Sequence, residues 1–171
     1  MDKKIEQLMN DYGNDVLKIA YLYLKDKHLA EDAFQEVFVK VYKNYNKFKN
    51  NSSEKTWIMS ITANTCRDIL RLSWFKKVRF FKDIGDDSLK NTHENVDEEI
   101  ARKMQYEELL KEVMNLPLKY RELVILYYYE ELSTMDISAA LKIPEGTVRS
   151  RLFRARAILK SNLEGKIEYG R

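Results

Sequence analysis

The chain has 171 residues, a formal net charge of +3, 44% hydrophobic and 33% charged residues. Five Gly and two Pro argue against a loop-rich or many-turned β architecture. A single Cys excludes a disulfide framework and a Cys-based zinc cage, and with two His no structural metal and no cofactor is expected. No apolar run approaches the roughly 20 residues that span a bilayer, and the opening MDKKIEQLMNDYGNDVLK has no apolar signal core. A cytoplasmic protein without direct membrane insertion is expected.

Tyr12, Val16, Ile19, Ala20 and Tyr23 recur at helical spacing and predict a first helix from Leu8 to about Lys25. The second predicted helix, Leu29 to Tyr45, has Ala33, Phe34, Val37, Phe38, Val41, Tyr42 and Tyr45 on its inner face. Its other face carries Glu31, Asp32, Gln35, Glu36 and Lys40. KFKNNSSEK (47–55) has no periodicity and reads as an exposed loop, with Ser52 or Ser53 capping the next helix. That third helix runs from about Lys55 to Leu72 with Trp57, Ile58, Ile61, Thr65, Ile69 and Leu72 inward.

Residues 77–104 lose the stripe and read as a flexible linker, of which 97–104 is the approach to a helix. Charge follows the same division: 13 bases against 10 acids in 1–76, six against seven in 77–104, and 11 against 10 in 105–171. Tyr106, Leu109, Leu110, Val113 and Met114 form the inner stripe of a fourth helix, which Leu116-Pro117 ends. Pro117 suits the first turn of the next helix, to about Tyr129. Ser133 or Thr134 caps a short helix that Lys142-Ile143-Pro144 breaks, and a last helix runs from Glu145 to about Leu163. The predicted fold class is all-α: two small helical domains, 1–76 and 105–171, joined by a flexible linker.

The sharpest local signal is STMDISAALKIPEGTVRSRLFRARAILK (133–160), a short helix, a tight turn and a second helix: a helix-turn-helix. Its second helix carries Arg149, Arg151, Arg154, Arg156 and Lys160 against one acid, Glu145. Positive charge therefore sits on the element that enters a major groove. Thr147 lies in its first turn. Arg149, Ser150 and Arg154 are candidates for base edges, and Arg151, Arg156 and Lys160 for the phosphate backbone.

HLAEDAFQEVFVKVY (28–42) followed by TWIMSITANTCRDILR (56–71) resembles domain two of the extracytoplasmic-function (ECF) sigma factors. The matching positions are Ala30-Glu31-Asp32, Gln35-Glu36-Val37-Phe38, Trp57, Ile61, Asn64, Asp68 and Arg71. IPEGTVRSRLFRAR resembles the recognition helix of domain four, which the family type makes winged-helix-like. The resemblance implies a sigma factor, not an enzyme: it binds core RNA polymerase and directs promoter-specific initiation. Asp32, Gln35, Glu36, Phe38 and Lys40 would dock on the coiled coil of the polymerase β′ subunit, and the β subunit is a further partner. Lys49, Asn51, Ser52, Lys55, Asn64, Arg67 and Arg71 would recognise and melt the −10 element, with Lys47 as another phosphate candidate. Thr147, Arg149, Ser150, Arg151, Arg154, Arg156 and Lys160 would read the −35 element. A cognate anti-sigma factor, often membrane-anchored, completes the expected partners of promoter DNA and polymerase in an envelope or stress response.

Taken alone, Asn64 is equally a helix-interior amide bonded to a neighbour, and Trp57 a core residue rather than a stacking platform. Two rival readings stay open from the residues: a regulator with a signal-sensing first half, and an interaction module whose basic helix binds an acidic partner. Neither Ser/His/Asp spacing nor a phosphate-cradling Gly motif occurs, so no catalytic residue is expected.

Overall fold

The computed structural model describes residues 3–49, 51–79 and 98–169, with side chains over 3–49, 51–73 and 105–165. Among the described residues all regular structure is helical and no strand forms, so the helix-turn-helix carries no β wing there. The elements are α1 (Lys3–Leu24), α2 (Lys27–Asn44), a 3₁₀ turn (Tyr45–Lys47), α3 (Glu54–Arg79) and α4 (Glu98–Asn115). Then follow α5 (Leu118–Val124), which continues into a π-helical turn (Ile125–Tyr129), α6 (Thr134–Leu141) and α7 (Glu145–Tyr169). The segment expected to be linker is thus helical at both ends. Residues 80–97, and with them the expected flexibility, lie outside the described residues.

Local chemistry sets the boundaries. Asp26 Oδ1 accepts the Leu29 N–H at 2.9 Å and starts α2. Ser53, one of the two expected caps, accepts the Thr56 N–H at 3.0 Å and starts α3. Ser133 accepts the Asp136 N–H at 3.0 Å, which resolves the choice of cap for α6. Pro117 precedes α5 rather than sitting in its first turn; its carbonyl accepts the Tyr120 and Arg121 N–H groups. Lys142 ends α6 in the left-handed region at φ 54°.

One core runs through both halves of the chain. Leu8, Val16, Ile19 and Tyr23 of α1 meet Ala33, Val37 and Val41 of α2 and Ile58, Met59, Ala63 and Cys66 of α3. Gly13 lets α2 come close: a Cβ there would lie 3.3 Å from the Phe34 ring. The same cluster continues into Leu123, Ile125, Leu126, Leu132, Ile137, Leu141, Val148 and Leu152. A smaller cluster, Leu116, Val124 and Ala155, joins α4, α5 and α7. Burying this apolar surface, at about 25 cal/mol per Å², is what holds α3 against α6 and α1 against α5.

Three expected inner stripes are corrected. Leu72 and Tyr42 are exposed, because α3 and α2 bury their preceding turns instead. Tyr106, Leu109 and Leu110 of α4 are also exposed. Among the described side chains of that helix, packing is concentrated near its end, through Val113, through Leu116 just beyond it and through Asn162 of α7 donating to Glu112 at 2.8 Å.

Candidate nucleic-acid interface

The helix-turn-helix is pinned by its own polar groups. Ser138 Oγ donates to the Ile143 carbonyl at 2.6 Å, and the Ile143 N–H returns to the Ser138 carbonyl at 3.2 Å. Glu145 receives Thr134 Oγ1 at 2.6 Å and Arg149 Nη2 at 2.7 Å on the same oxygen. The Thr134 hydroxyl, then Arg149, hold its carboxyl below the usual range. Val148, Leu152 and Ala155 face inward. That leaves Arg149, Ser150, Arg154, Arg156 and Lys160 exposed along α7, with Thr147 and Arg151 half-buried. Arg156 donates to Tyr128 Oη at 3.2 Å, and Lys160 lies 3.8 Å from Glu164. Arg151 and Arg154 form no ion pair among the described residues. Phe153 was missed by the sequence reading, yet it is 70% exposed beside Arg149 and Arg156. Its only sequence signal is a failure to fit the inward spacing of Val148, Leu152 and Ala155.

A second surface forms before α3. Lys47, Phe48, Lys49, Asn51, Ser52 and Trp57 line an open pocket of about 210 Å³. The Phe48 and Trp57 rings stand 4.9 Å apart, with Tyr45 at 6.2 Å from Trp57. Trp57 is neither wholly core nor free: its inner edge packs on the cluster and its outer edge lines the pocket. Tyr45 Oη donates to Glu54 Oε1 at 2.7 Å, and Lys4 Nζ donates to Glu54 Oε2 at 3.2 Å, tying α1, the 3₁₀ turn and α3 together. The Tyr45 hydroxyl, then Lys4, draw the Glu54 carboxyl below its ordinary range.

The remaining −10 candidates are elsewhere, and they are occupied. Asn64 Nδ2 donates to the Ser60 carbonyl at 2.8 Å and to the Ala140 carbonyl of α6 at 3.1 Å. Arg67 grips Glu122 of α5 with both sides of its fork, Nε to Oε2 and Nη2 to Oε1, at 2.7 Å each. Its Nη1 reaches the Leu141 carbonyl at 3.4 Å. Lys55 Nζ stands 3.2 Å from Glu130 Oε2 but off the hydrogen-bonding direction, so that buried oxygen lacks a directed partner. Burial pushes the Glu130 carboxyl up, more than Lys55 pulls it down. Burial works against the Lys55 ammonium in turn, yet Glu130 beside it keeps its pKa raised. Arg71 pairs with Asp68 at 2.9 Å on the surface. The expected −10 set is therefore split. Lys49, Asn51 and Ser52 border the open pocket, Arg71 stands free of it, and Lys55, Asn64 and Arg67 lie under the C-terminal helices.

On α2, Asp32, Gln35 and Glu36 are exposed. Lys40 bridges inward, to Glu36 at 2.7 Å and to Thr65 Oγ1 of α3 at 3.0 Å. Phe38 is corrected from contact residue to support: it is 5% exposed, with its ring 5.0 Å from Phe34, and cannot touch a partner directly. Exposed Val39 and Tyr42 share the outer face of α2 with the acids, and the sequence reading passed over both as part of that face. No helix among the described residues is long and apolar enough to cross a membrane, and no group of three His, Cys, Asp or Glu there is placed to hold a metal ion.

Residues 8–75 match the family model for Sigma-70 region 2, and residues 106–159 the model for Sigma-70, region 4. The chain is 34% identical over 158 residues to the ECF RNA polymerase sigma factor SigM of Bacillus subtilis, covering 92% of this chain and 93% of that one. It is 30% identical over 167 residues to SigW of the same organism, covering 91% and 87%. Among solved structures it is similar to the sigma factor RpoE of Bartonella quintana, solved with the anti-sigma factor NepR. The TM-score is 0.72 at 20% identity, covering 95% of this chain and 98% of that one. CnrH, solved with the cytosolic domain of CnrY, gives a TM-score of 0.67 at 19% identity, covering 96% and 90%. Two region matches in order, with relatives alike along nearly their whole length, make this chain a member of the ECF family of RNA polymerase sigma factors.

Proposed function

We propose that the chain binds core RNA polymerase and directs it to particular promoters, making and breaking no bond itself. The observation that carries this reading is the ordered pair of regions in one chain, the second of which exposes a basic helix, α7, from a rigid helix-turn-helix. In this reading residues 1–76 hold the polymerase and the −10 element, 105–171 read the −35 element as duplex, and 77–104 join them. Asp32, Gln35 and Glu36 offer the β′ coiled coil an acidic and polar face, with Val39 and Tyr42 adding apolar area and Phe38 stiffening it from beneath. The pocket of Phe48, Asn51, Ser52 and Trp57 suits an unstacked base, since exposed bases are held by aromatic faces and by hydrogen bonds to their freed edges. Lys49 and Lys55 supply phosphate contacts, and Asn64, Arg67 and Arg71 extend the surface along α3. Arg149, Ser150 and Arg154 contact base edges, while Thr147, Arg151, Arg156 and Lys160 set the register on phosphates. Phe153 adds an apolar contact that suits a thymine methyl.

The proposal extends to regulation in the cytoplasm by a cognate anti-sigma factor, in a membrane-anchored form, as part of an envelope or stress response. Support comes from the likeness to a sigma factor solved with an anti-sigma factor. The direct test is association: the purified chain is mixed with core polymerase and run on a sizing column. Co-elution as a stoichiometric complex, weakened when Asp32 and Glu36 are changed to Lys, is expected. Separate elution at micromolar concentrations would contradict the reading.

A further inference from the structure

From Glu145 to Lys160, α7 carries five basic residues and a single acid, Glu145 itself. An acid on a helix that meets DNA opposes phosphate binding, so its contacts are informative. One oxygen, Oε1, accepts the Thr134 hydroxyl at 2.6 Å, Arg149 Nη2 at 2.7 Å and Arg149 Nε at 3.2 Å. An exposed pair four residues apart on one helix contributes little and holds neither side chain still. This pair differs because its carboxylate is fixed from another element. Thr134 opens α6, its χ1 stiffened by the branched Cβ, and its hydroxyl reaches across the turn to Glu145. α6 and α7 share one core through Ile137, Leu141, Val148 and Leu152. The series Thr134, Glu145, Arg149 therefore ties the guanidinium to a packed frame and not to its own helix alone.

The contact also selects which edge of Arg149 remains. A guanidinium has five donors in a flat fork. Glu145 takes the side edge, Nε and Nη2. The end edge, Nη1 with the outer N–H of Nη2, lies beyond that contact on a side chain that is 69% exposed. Two parallel donors there match guanine O6 and N7, the commonest specific arginine contact in a major groove. We infer that Glu145 is a positioning residue for promoter selectivity: anchored by Thr134, it holds Arg149 end-on for one guanine of the −35 duplex. This rests on the placement of Arg149 at a base edge in the proposed function. Specificity is a difference between right and wrong partners, and the clamp acts on both. On guanine, an arginine already ordered loses less freedom. On another base, the clamped fork meets unmatched groups and cannot swing to a phosphate without breaking its bonds to Glu145. The same carboxylate repels the DNA backbone, so selectivity is gained while general affinity is lowered.

The test uses holoenzyme assembled from purified core polymerase and the full chain. It is offered duplex promoters randomised over the −35 region, and the bound DNA is sequenced. The wild type is expected to enrich guanine at one position, and Arg149→Ala to lose that preference. Glu145→Ala should lower the preference about threefold to tenfold, the effect of releasing one long side chain. Thr134→Val should lower it at the same position, although Thr134 lies on the other helix. Binding to the unselected pool should be unchanged or tighter for Glu145→Ala, whereas a merely structural defect weakens every sequence. On the Arg149→Ala background, Glu145→Ala should alter no base preference further. Guanine enrichment undiminished in Glu145→Ala or in Thr134→Val overturns the inference. Equal weakening on all sequences, a lost preference at a different position, or a base other than guanine at the Arg149 position overturns it as well. These outcomes leave the proposed function standing. A wild type that forms no holoenzyme, or that shows no −35 preference, overturns the proposed function and the inference with it.

Discussion

Replacing Arg121 with Met should cost the protein about 2–4 kcal/mol. Arg121 is 6% exposed and lies on α5, but its bonds reach three other places. Nη1 donates to the Met114 and Leu116 carbonyls at 3.1 Å each, where α4 ends, and Nη2 donates to the Tyr23 carbonyl near the end of α1 at 2.8 Å. Helix ends leave carbonyls without internal partners, and one guanidinium serves both ends here. Hydrogen bonds to a charged group contribute about 1.5–3 kcal/mol each, so the gross loss is about 5–9 kcal/mol. Against this stands the relief of no longer burying a cation, worth several kcal/mol. Burial already draws the Arg121 pKa below its ordinary value, and Nε finds no partner. The difference leaves the net figure above. For a chain of this size that lowers Tm by about 5–15 °C. Urea titration followed by circular dichroism reads it directly, with the slope unchanged and the midpoint lowered. Because Arg121 joins both halves over one core, a single transition should move as a whole. A loss below about 1 kcal/mol, or two transitions of which only one moves, would refute the reasoning.

Changing Phe48 to Ala removes a ring 4.9 Å from Trp57; promoter opening, followed by permanganate reactivity, should weaken by about 1–3 kcal/mol while binding to −35 duplex is unchanged. Arg149→Ala and Arg154→Ala should each relax selectivity at one −35 position by about 1–3 kcal/mol, seen in competition between promoter variants, whereas an equal loss on all sequences would reassign them to phosphates. Glu130 titrates above its ordinary 4.5 in the folded chain, chiefly through burial, with Lys55 opposing and Asp15 and Glu131 adding to the rise. Between the unfolded and folded pKa values the folded chain binds more protons, so this carboxyl's contribution to stability falls as pH rises through that window and is level above it. Wild type compared with Glu130→Gln should show that slope in urea midpoints measured across mildly acidic to neutral pH, and parallel curves would contradict it.

The helices themselves were largely legible because their signals are local. Ser53 and Ser133 cap helices through hydroxyls within three residues of their targets, and Pro117 and Lys142-Ile143-Pro144 break the chain where their backbones require. Periodicity, by contrast, reports that a stripe exists and not what it meets. Tyr106, Leu109 and Leu110 keep helical spacing and remain exposed, since the described part of α4 packs near its end, at Glu112 and Val113. Phe38 falls on the predicted inner stripe of α2, and only the resemblance set it among the partner contacts; its burial against Phe34 keeps it inside. The −10 residues show the same limit most clearly. Asn64 is marked by its motif and Arg67 by its charge, while their partners, Ala140 and Glu122, are 76 and 55 residues away in the chain. Nothing in local spacing brings those together; only the shared apolar core does.

The most direct test of the account is run-off transcription with purified core polymerase on templates carrying candidate promoters, with and without this chain. The account predicts discrete transcripts that appear only when the chain is present and that are lost when Arg149 and Arg154 are changed to Ala. A transcript pattern that the chain leaves unaltered, under conditions where it is folded and in excess over polymerase, would contradict it.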